Sequence, residues 1–163
     1  MNLLPATVML LALAVLPAPL SATACVDTLP IFGDAQPSTK PSPYTITVTP
    51  TTVNAGGTVK VRISGSENFH SVYLQAGNGE QPVGEFLAPS GQGCRAGVFG
   101  CPSGQKNAFS YNSRRGTKEA EVEWKAPQIN AQVAFRATIV KSFTEFWVGV
   151  ESAPITVRTV SRN

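Results

Sequence analysis

The feature that most constrains the fold is a series of short segments in which apolar and polar residues alternate, separated by glycine or proline. Residues 44–49 read Tyr-Thr-Ile-Thr-Val-Thr, and in residues 59–64 three aliphatic side chains alternate with Lys, Arg and Ser. Because successive side chains of a strand point to opposite faces, each such segment predicts a half-buried β-strand. The 14 glycines and 13 prolines among 163 residues would interrupt helices too often for a helical fold.

Strand signals recur to the end of the chain. We predict strands at 44–49, 59–63, 71–76, 83–87, 107–112, 119–124, 132–141, 146–150 and 155–157. A break is predicted at 65–68, and residues 88–107 are expected to be mostly loop because they are rich in Gly and Pro. So many short strands predict an all-β fold, an immunoglobulin-like antiparallel β-sandwich, with a small barrel as the alternative.

The first 24 residues have the layout of a signal peptide. An apolar run at 3–16 is followed by prolines and small residues. Signal peptidase requires small side chains at the last and third-last positions, which Ala24 and Ala22 provide, so we predict cleavage before Cys25. The run is shorter than the roughly 20 residues of a spanning helix, so no stable membrane insertion is expected. Residues 25–163 would then form one secreted, extracellular domain, with a bacterial lipoprotein as the minor alternative.

Charge and residue types argue against several classes of function. The net charge is +3, from 13 Lys and Arg against 10 Asp and Glu, and both signs are scattered, so nucleic-acid binding is not predicted. The one histidine, His70, and the absence of a Cys-x-x-C spacing support neither a zinc site nor a Ser-His-Asp hydrolase. We therefore expect no enzymatic activity and no cofactor, and we expect His70 to be an ordinary loop or strand-edge residue.

Two rows of opposite charge stand on the polar faces of predicted strands. Lys60 and Arg62 form the basic row, and Glu119, Glu121 and Glu123 form the acidic row. If these strands are neighbours, the charges meet across the pair, which helps to fix strand order. Exposed pairs contribute only about 0 to 1 kcal/mol each, so we interpret the rows as a solvated face.

Taken in order, several of these segments resemble the motifs of the Reeler domain. The matching stretches are 43–48 (PYTITV), 73–76 (YLQA), 83–86 (VGEF), 122–127 (VEWKAP), 133–140 (VAFRATIV) and 146–150 (FWVGV). The resemblance implies an immunoglobulin-like sandwich, and the alternation at 119–124 independently points Trp124 into its core. The resemblance also implies a secreted protein of innate defence that recognises microbial surface glycans or lipids without catalysis. An extracellular-matrix or adhesion module that binds a protein partner or a sulfated glycan is the alternative.

The resemblance also bears on the cysteines. Cys25, Cys94 and Cys101 in an oxidising compartment predict one disulfide and one leftover thiol, and the residues alone leave three pairings open. In the family the first cysteine usually joins one that precedes the Trp of the W-x-A-P motif, and Cys101 lies 23 residues before Trp124. The implied disulfide is therefore Cys25–Cys101, and Cys94 is either a free thiol or a competitor for Cys25.

The densest basic spot is a candidate contact for an anionic ligand. Arg114, Arg115 and Lys118 lie within five residues of one another and would bind an anion through charge-assisted hydrogen bonds. A solvated turn is the interpretation that we favour for them. The aromatic residues Phe143, Phe146 and Trp147 are candidates for stacking on sugars, but aromatic side chains at strand spacing are more often core.

Overall fold

The computed structural model describes residues 34–77, 81–89, 96–101 and 104–160, and within these ranges the chain is all-β. The predicted signal peptide at 1–24, Cys25 and Cys94 lie outside the described residues. In the part that is described, no helix has the length and apolar character needed to cross a membrane. The described strands are β1 (Tyr44–Thr49), β2 (Thr52–Asn54), β3 (Thr58–Ala76), β4 (Glu85–Phe86), β5 (Ala96–Phe99), β6 (Ala108–Lys125), β7 (Ala131–Val133), β8 (Phe135–Ser142), β9 (Glu145–Glu151) and β10 (Ile155–Arg158).

Two long antiparallel strands form the centre of the fold. β3 has 19 residues and β6 has 18, and they pair from Thr58 with Lys125 to Gln75 with Ala108. β1 pairs with the first part of β3, and β8, followed by β9, pairs with its last part. β4 and β5 pair with opposite ends of β6. The result is a curled seven-stranded sheet whose inner side carries the core.

Both central strands are bulged where the sequence pattern predicts that strands end. The sequence predicts a break at 65–68 and separate strands at 107–112 and 119–124, and both predictions are wrong because β3 and β6 continue through these stretches. Shifts of register leave residues 65–68 of β3 and 113–116 of β6 outside the regular β3–β6 pairing. Glycine and polar residues form bulges here rather than turns, because the two strands resume pairing on either side.

A second sheet has three strands, in the order β2, β10, β7. β10 is antiparallel to β7 but parallel to β2, which departs from the prediction of an antiparallel fold throughout. β2 and β10 are distant in sequence, so no hairpin fixes their relative direction. The predicted strand at 132–141 is divided after Val133, because β7 belongs to this sheet and β8 belongs to the curled sheet. The immunoglobulin-like arrangement of two sandwiched sheets stays a prediction.

The stretch predicted to be mostly loop, 88–107, contains one strand. β5 pairs with β6 from Ala96 opposite Tyr111 to Phe99 opposite Ala108. Two of its four residues are Gly and Ala, which have low strand propensity, so the sequence gives little indication of a strand here. Hydrogen-bonded pairing with the long β6 stabilises β5 despite this low propensity.

Trp124 confirms its predicted place in the core. Its side chain is fully buried, and its ring meets the ring of Phe135 edge to face at 5.1 Å between centroids. The indole Nε1 donates a hydrogen bond to the backbone carbonyl of Val83 at 3.0 Å. Trp124 therefore joins β6 to β8 and to the segment before β4.

The rows of opposite charge meet as predicted, because β3 and β6 are neighbours. Lys60 Nζ lies 3.1 Å from Glu121 Oε1, and Arg62 Nη2 lies 2.5 Å from Glu119 Oε1. All four side chains are about half exposed. The two charged rows therefore form a solvated face, as the alternation of the basic row with buried Val59, Val61 and Ile63 indicates.

Candidate functional site

The bulge in β6 borders a surface groove. Gly116, at the end of the bulge, has a φ of +72°, a conformation that residues with a side chain rarely adopt. A bulge bends its strand and redirects the side chains beside it. Here it places Arg114 on a groove of about 430 Å³, which we call the bulge groove; its lining includes His70 and Ser71 of β3, Arg114 of β6, and Val140, Lys141 and Phe143 of the β8–β9 hairpin.

His70 holds the bulge in place. Its Nδ1 lies 2.9 Å from the backbone carbonyl oxygen of Ser113. A carbonyl oxygen only accepts, so Nδ1 carries the hydrogen and donates it. This bond satisfies a backbone group that the bulge removes from regular pairing, and it fixes the residue that immediately precedes Arg114. His70 lies within β3 and not in a loop.

Lys141 contributes little free charge to the groove. Its Nζ lies 2.5 Å from Glu67 Oε2 and 3.0 Å from Glu145 Oε2. The hydrogen bond to Glu67, which is the larger cause, and the hydrogen bond to Glu145 both raise the pKa of Lys141 above its usual value. The ammonium charge is thus more than offset by two carboxylates, one from the bulge of β3 and one from the start of β9.

Arg114, by contrast, is exposed and makes no ion pair with any carboxylate of the described residues. The N–H donors of its guanidinium group are therefore available to a ligand, and their spacing matches that of the oxygens of a phosphate or carboxylate. The positive charge that the bulge groove offers to a ligand is therefore mainly that of Arg114.

The three basic residues do not form one spot on a turn. Arg114, Arg115 and Lys118 all lie within β6 and are exposed, so the solvated turn favoured from the sequence is wrong about the local structure. Only Arg114 is among the residues that line the bulge groove. Adjacent residues of a strand project to different sides, which is why closeness in sequence did not mean a shared site.

The aromatic candidates also separate. Phe146 and Trp147 are 1% and 5% exposed and belong to the interior, as expected from their strand spacing. Phe143, at the tip of the β8–β9 hairpin, is 79% exposed and lines the bulge groove. Phe143 and Val140 both line the groove, so the groove has an apolar wall in addition to its charged end.

Cys101 has a polar setting that the sequence does not indicate. Its side chain is buried and its sulfur is in a disulfide, whose other cysteine lies outside the described residues. Gln75 Nε2 donates to Sγ at 3.2 Å, and the hydroxyl oxygen of Tyr73 lies 3.5 Å from Sγ. The backbone N–H of Cys101 donates to Asn107 Oδ1 at 2.6 Å. These contacts fix the cysteine against β3, whichever residue is its partner.

The described ranges contain no group of three or more His, Cys, Asp or Glu side chains placed to hold a metal ion. The chemistry that the bulge groove offers is thus that of a guanidinium group, an imidazole and an apolar wall. Such a set is suited to binding an anion that carries an apolar part.

The architecture places the chain among domains with the Reeler fold. The human F-spondin reeler domain superposes with a TM-score of 0.61 at 15% identity, over 78% of this chain and 98% of that one. The family model described as "Reeler domain" matches residues 23–163. The chain therefore belongs to the Reeler domain family, as its motifs indicated.

Relatives within the family carry names of two kinds. A Locusta migratoria protein named "Putative defense protein" is 50% identical over 133 residues, which are 82% of this chain and 76% of that protein. A Bombyx mori protein of the same name is 36% identical over 150 residues, 86% of this chain and 83% of the relative. A Drosophila melanogaster protein named "Putative ferric-chelate reductase 1 homolog" is 29% identical over 144 residues, 83% of this chain but 22% of that protein.

Proposed function

We propose that this protein is a secreted defence protein that binds anionic components of microbial surfaces and has no catalytic activity. Its family and the name carried by a relative of 50% identity support a role in defence. Secretion follows from the proposed signal peptide at 1–24, and the domain is then 25–163. The proposed location is extracellular.

The observation that carries the binding role is the exposed guanidinium group of Arg114 at the bulge groove. The outer molecules of microbes are rich in phosphate and carboxylate groups, which bind arginine through short, charge-assisted hydrogen bonds. The net charge of +3 favours approach to such surfaces. Arg115 and Lys118, which are exposed nearby on β6, add to the attraction without sharing the groove.

His70 has a structural task beside the bulge groove, because its Nδ1 donates a hydrogen bond to the backbone carbonyl of Ser113. This bond orients the ring and is compatible with acid–base chemistry at Nε2. The proposal of a role without catalysis therefore rests on the family and on the names of its relatives. The relative named as a reductase homolog matches over 22% of its length, so its likeness concerns one module of a larger protein.

Binding is tested with the purified mature protein, pelleted with Gram-negative and Gram-positive cells and with immobilised lipopolysaccharide, lipoteichoic acid and β-glucan. We expect binding that weakens with salt and that falls when Arg114, Arg115 and Lys118 are changed together to Gln. A matched variant with Lys40, Lys125 and Arg158 changed to Gln has the same net charge as this triple variant and should lose much less binding. Failure of the wild type to bind any of these targets would refute the proposal.

We further propose that Cys25 pairs with Cys101 and that Cys94 is a free thiol. The disulfide of the buried Cys101 would then attach the N-terminal segment to the side of β3 that carries Tyr73 and Gln75. Mass spectrometry of the secreted protein after thiol labelling checks this, with Cys25 expected as the first residue and Cys94 labelled. A bridged Cys94 would contradict the pairing.

A matrix or adhesion module is the second candidate. The exposed cations of the β6 bulge favour it, because sulfated glycans carry the same kind of anionic oxygens as microbial polymers. Retention on immobilised heparin that falls with salt, together with no binding to microbial cells, would support this candidate over the first.

A further inference from the structure

The bulge groove combines its charge with an apolar wall, and this combination goes beyond what a general attraction to microbial polymers requires. We propose that the groove binds a single anionic amphiphile, with the phosphate or similar head group at Arg114 and the alkyl chain against Phe143 and Val140. The inference deepens the proposed function and rests on it for the biological source of the ligand.

The head-group end follows from the charges around the groove. Lys141 pairs with both Glu67 and Glu145, so its charge is more than offset within the protein and leaves no positive charge for a ligand. Arg114 has no carboxylate partner within the described ranges, and its guanidinium group binds a phosphate with two parallel hydrogen bonds. One available cation fits one anionic group, which favours a small head group over an extended polyanion.

The position of the ligand's alkyl chain follows from the exposure of the apolar side chains at the groove. Phe143 is 79% exposed at the tip of the hairpin, whereas Phe146 and Trp147 of β9 are buried. Covering an exposed aromatic ring with methylene groups removes apolar surface from water on both partners, which favours binding. Val140, 8% exposed, continues the apolar wall towards β3.

The size of the groove limits the ligand to one molecule. Its volume of about 430 Å³ is near the lower end for small-molecule sites, which bury most of the ligand that they bind. That space accommodates a head group with part of a chain. It does not accommodate the face of a bilayer, so the ligand is expected to enter as a monomer.

The binding test uses n-alkyl phosphates from butyl to decyl, each below its micelle concentration, titrated into the wild-type protein by calorimetry. We expect affinity to rise about fourfold for each methylene that is buried and then to level off when the groove is full. Inorganic phosphate and n-alkyl glucosides of the same chain lengths should bind much more weakly. Equal binding of glucosides and phosphates, or no dependence on chain length, would overturn the proposal.

Matched variants assign the two ends. Arg114→Gln should lower affinity about tenfold or more and keep the dependence on chain length, whereas Arg115→Gln should change affinity by less than about twofold. Phe143→Ser should reduce the dependence on chain length, and Ile129→Ser, at an exposed apolar residue outside the groove, should not. Equal effects of Arg114→Gln and Arg115→Gln would place the ligand elsewhere and refute the assignment.

The inference and the proposed function fail in different ways. If the wild type binds microbial cells but no alkyl phosphate, the amphiphile site is wrong and the defence role stands. If it binds alkyl phosphates through Arg114 and Phe143 but no microbial cell or polymer, the site is right and the proposed function is wrong.

Discussion

The indole Nε1 of Trp147 donates a hydrogen bond to the backbone carbonyl of Lys40 at 3.0 Å. A second bond, from the N–H of Ser38 to the carbonyl of Phe146 at 2.8 Å, lies beside it. The ring of Trp147 also meets Tyr44 of β1 at 5.4 Å between centroids. Trp147 therefore attaches the irregular segment before β1 to β9, although 107 residues separate it from Lys40.

Replacing Trp147 by Phe should lower the free energy of unfolding by about 1–3 kcal/mol. The phenyl ring keeps part of the contact with Tyr44 but leaves the carbonyl of Lys40 without its donor. Unfolding in urea, followed by circular dichroism, measures the change. Lys40→Ala retains the backbone carbonyl and should change the stability by less than about 0.5 kcal/mol. Equal losses in the two variants would show that the hydrogen bond is not what matters.

Gly84→Ala should destabilise the fold by about 2–4 kcal/mol. Gly84 has a φ of +68°, and a Cβ there would lie 2.6 Å from the carbonyl oxygen of Lys125 and closer still to the indole of Trp124. Both the backbone conformation and the contact are unfavourable, and Trp124 is fixed in the core.

Gly97→Ala in β5 is the matched control for Gly84→Ala. The nearest atom to a Cβ at Gly97 is the hydroxyl oxygen of Ser110 at 3.6 Å, an ordinary contact. Its stability should lie within about 0.5 kcal/mol of the wild type when both variants are compared in thermal and urea unfolding. A Gly84→Ala protein as stable as Gly97→Ala would contradict the packing around Trp124.

Stability should fall between pH 10 and pH 12 because of Tyr73. Burial raises its pKa from 10.0 to about 12, and a side-chain hydrogen bond with Gln75 opposes part of that shift. The folded state holds the phenol proton more tightly than the unfolded state, so the stabilisation is complete below pH 10 and is lost as the pH rises towards 12. We expect a loss of about 1–2 kcal/mol, reduced by the partial exposure of the ring.

The variant Tyr73→Phe isolates this contribution. It has no phenol to ionise, so its unfolding free energy should fall less than that of the wild type over the same pH range. Urea unfolding at pH 9 and pH 11 is sufficient for the comparison. A parallel decline in both proteins would assign the alkaline loss to other groups.

The ion pair of Lys60 and Glu121 should contribute little to stability. Both side chains are about half exposed, so water and salt screen their attraction. A double-mutant cycle with Lys60→Gln and Glu121→Gln should give a coupling energy below about 1 kcal/mol at low salt and near zero in molar salt. A larger coupling that persists in salt would mean that the charged face is less solvated than its exposure indicates.

Local alternation located most strands, because it is a property of adjacent residues. Tyr44, Ile46 and Val48 face inward from β1 as their spacing requires, and the opposite charges of β3 and β6 correctly indicated that these strands are neighbours. The family was also recognisable from ordered motifs such as 122–127. The continuity of β3 through 65–68 was not recognisable, since a glycine followed by polar residues carries the same local signal in a bulge as in a turn.

The candidate site depended even more on distant contacts. Arg114 was identified from the sequence because basic residues are dense there. Its separation from Arg115 follows from the opposite projection of adjacent residues along β6, and its place on the groove follows from the bulge. His70 was given no specific role because its partner, the carbonyl of Ser113, is a backbone group 43 residues away and leaves no trace in the residue pattern. Phe143 could not be distinguished from the buried Phe146, since both are aromatic residues in the same apolar region.

The amino-acid sequence by itself determined that the chain forms short strands, which side chains face the core, and to which family the domain belongs, because these depend on periodicity and on ordered motifs. Only the tertiary structure decided that two long bulged strands replace several short ones. It also decided that the β8–β9 hairpin meets the β6 bulge to form a groove. Those outcomes depend on pairing between residues far apart in the chain, where each bulge is stabilised by the strand beside it.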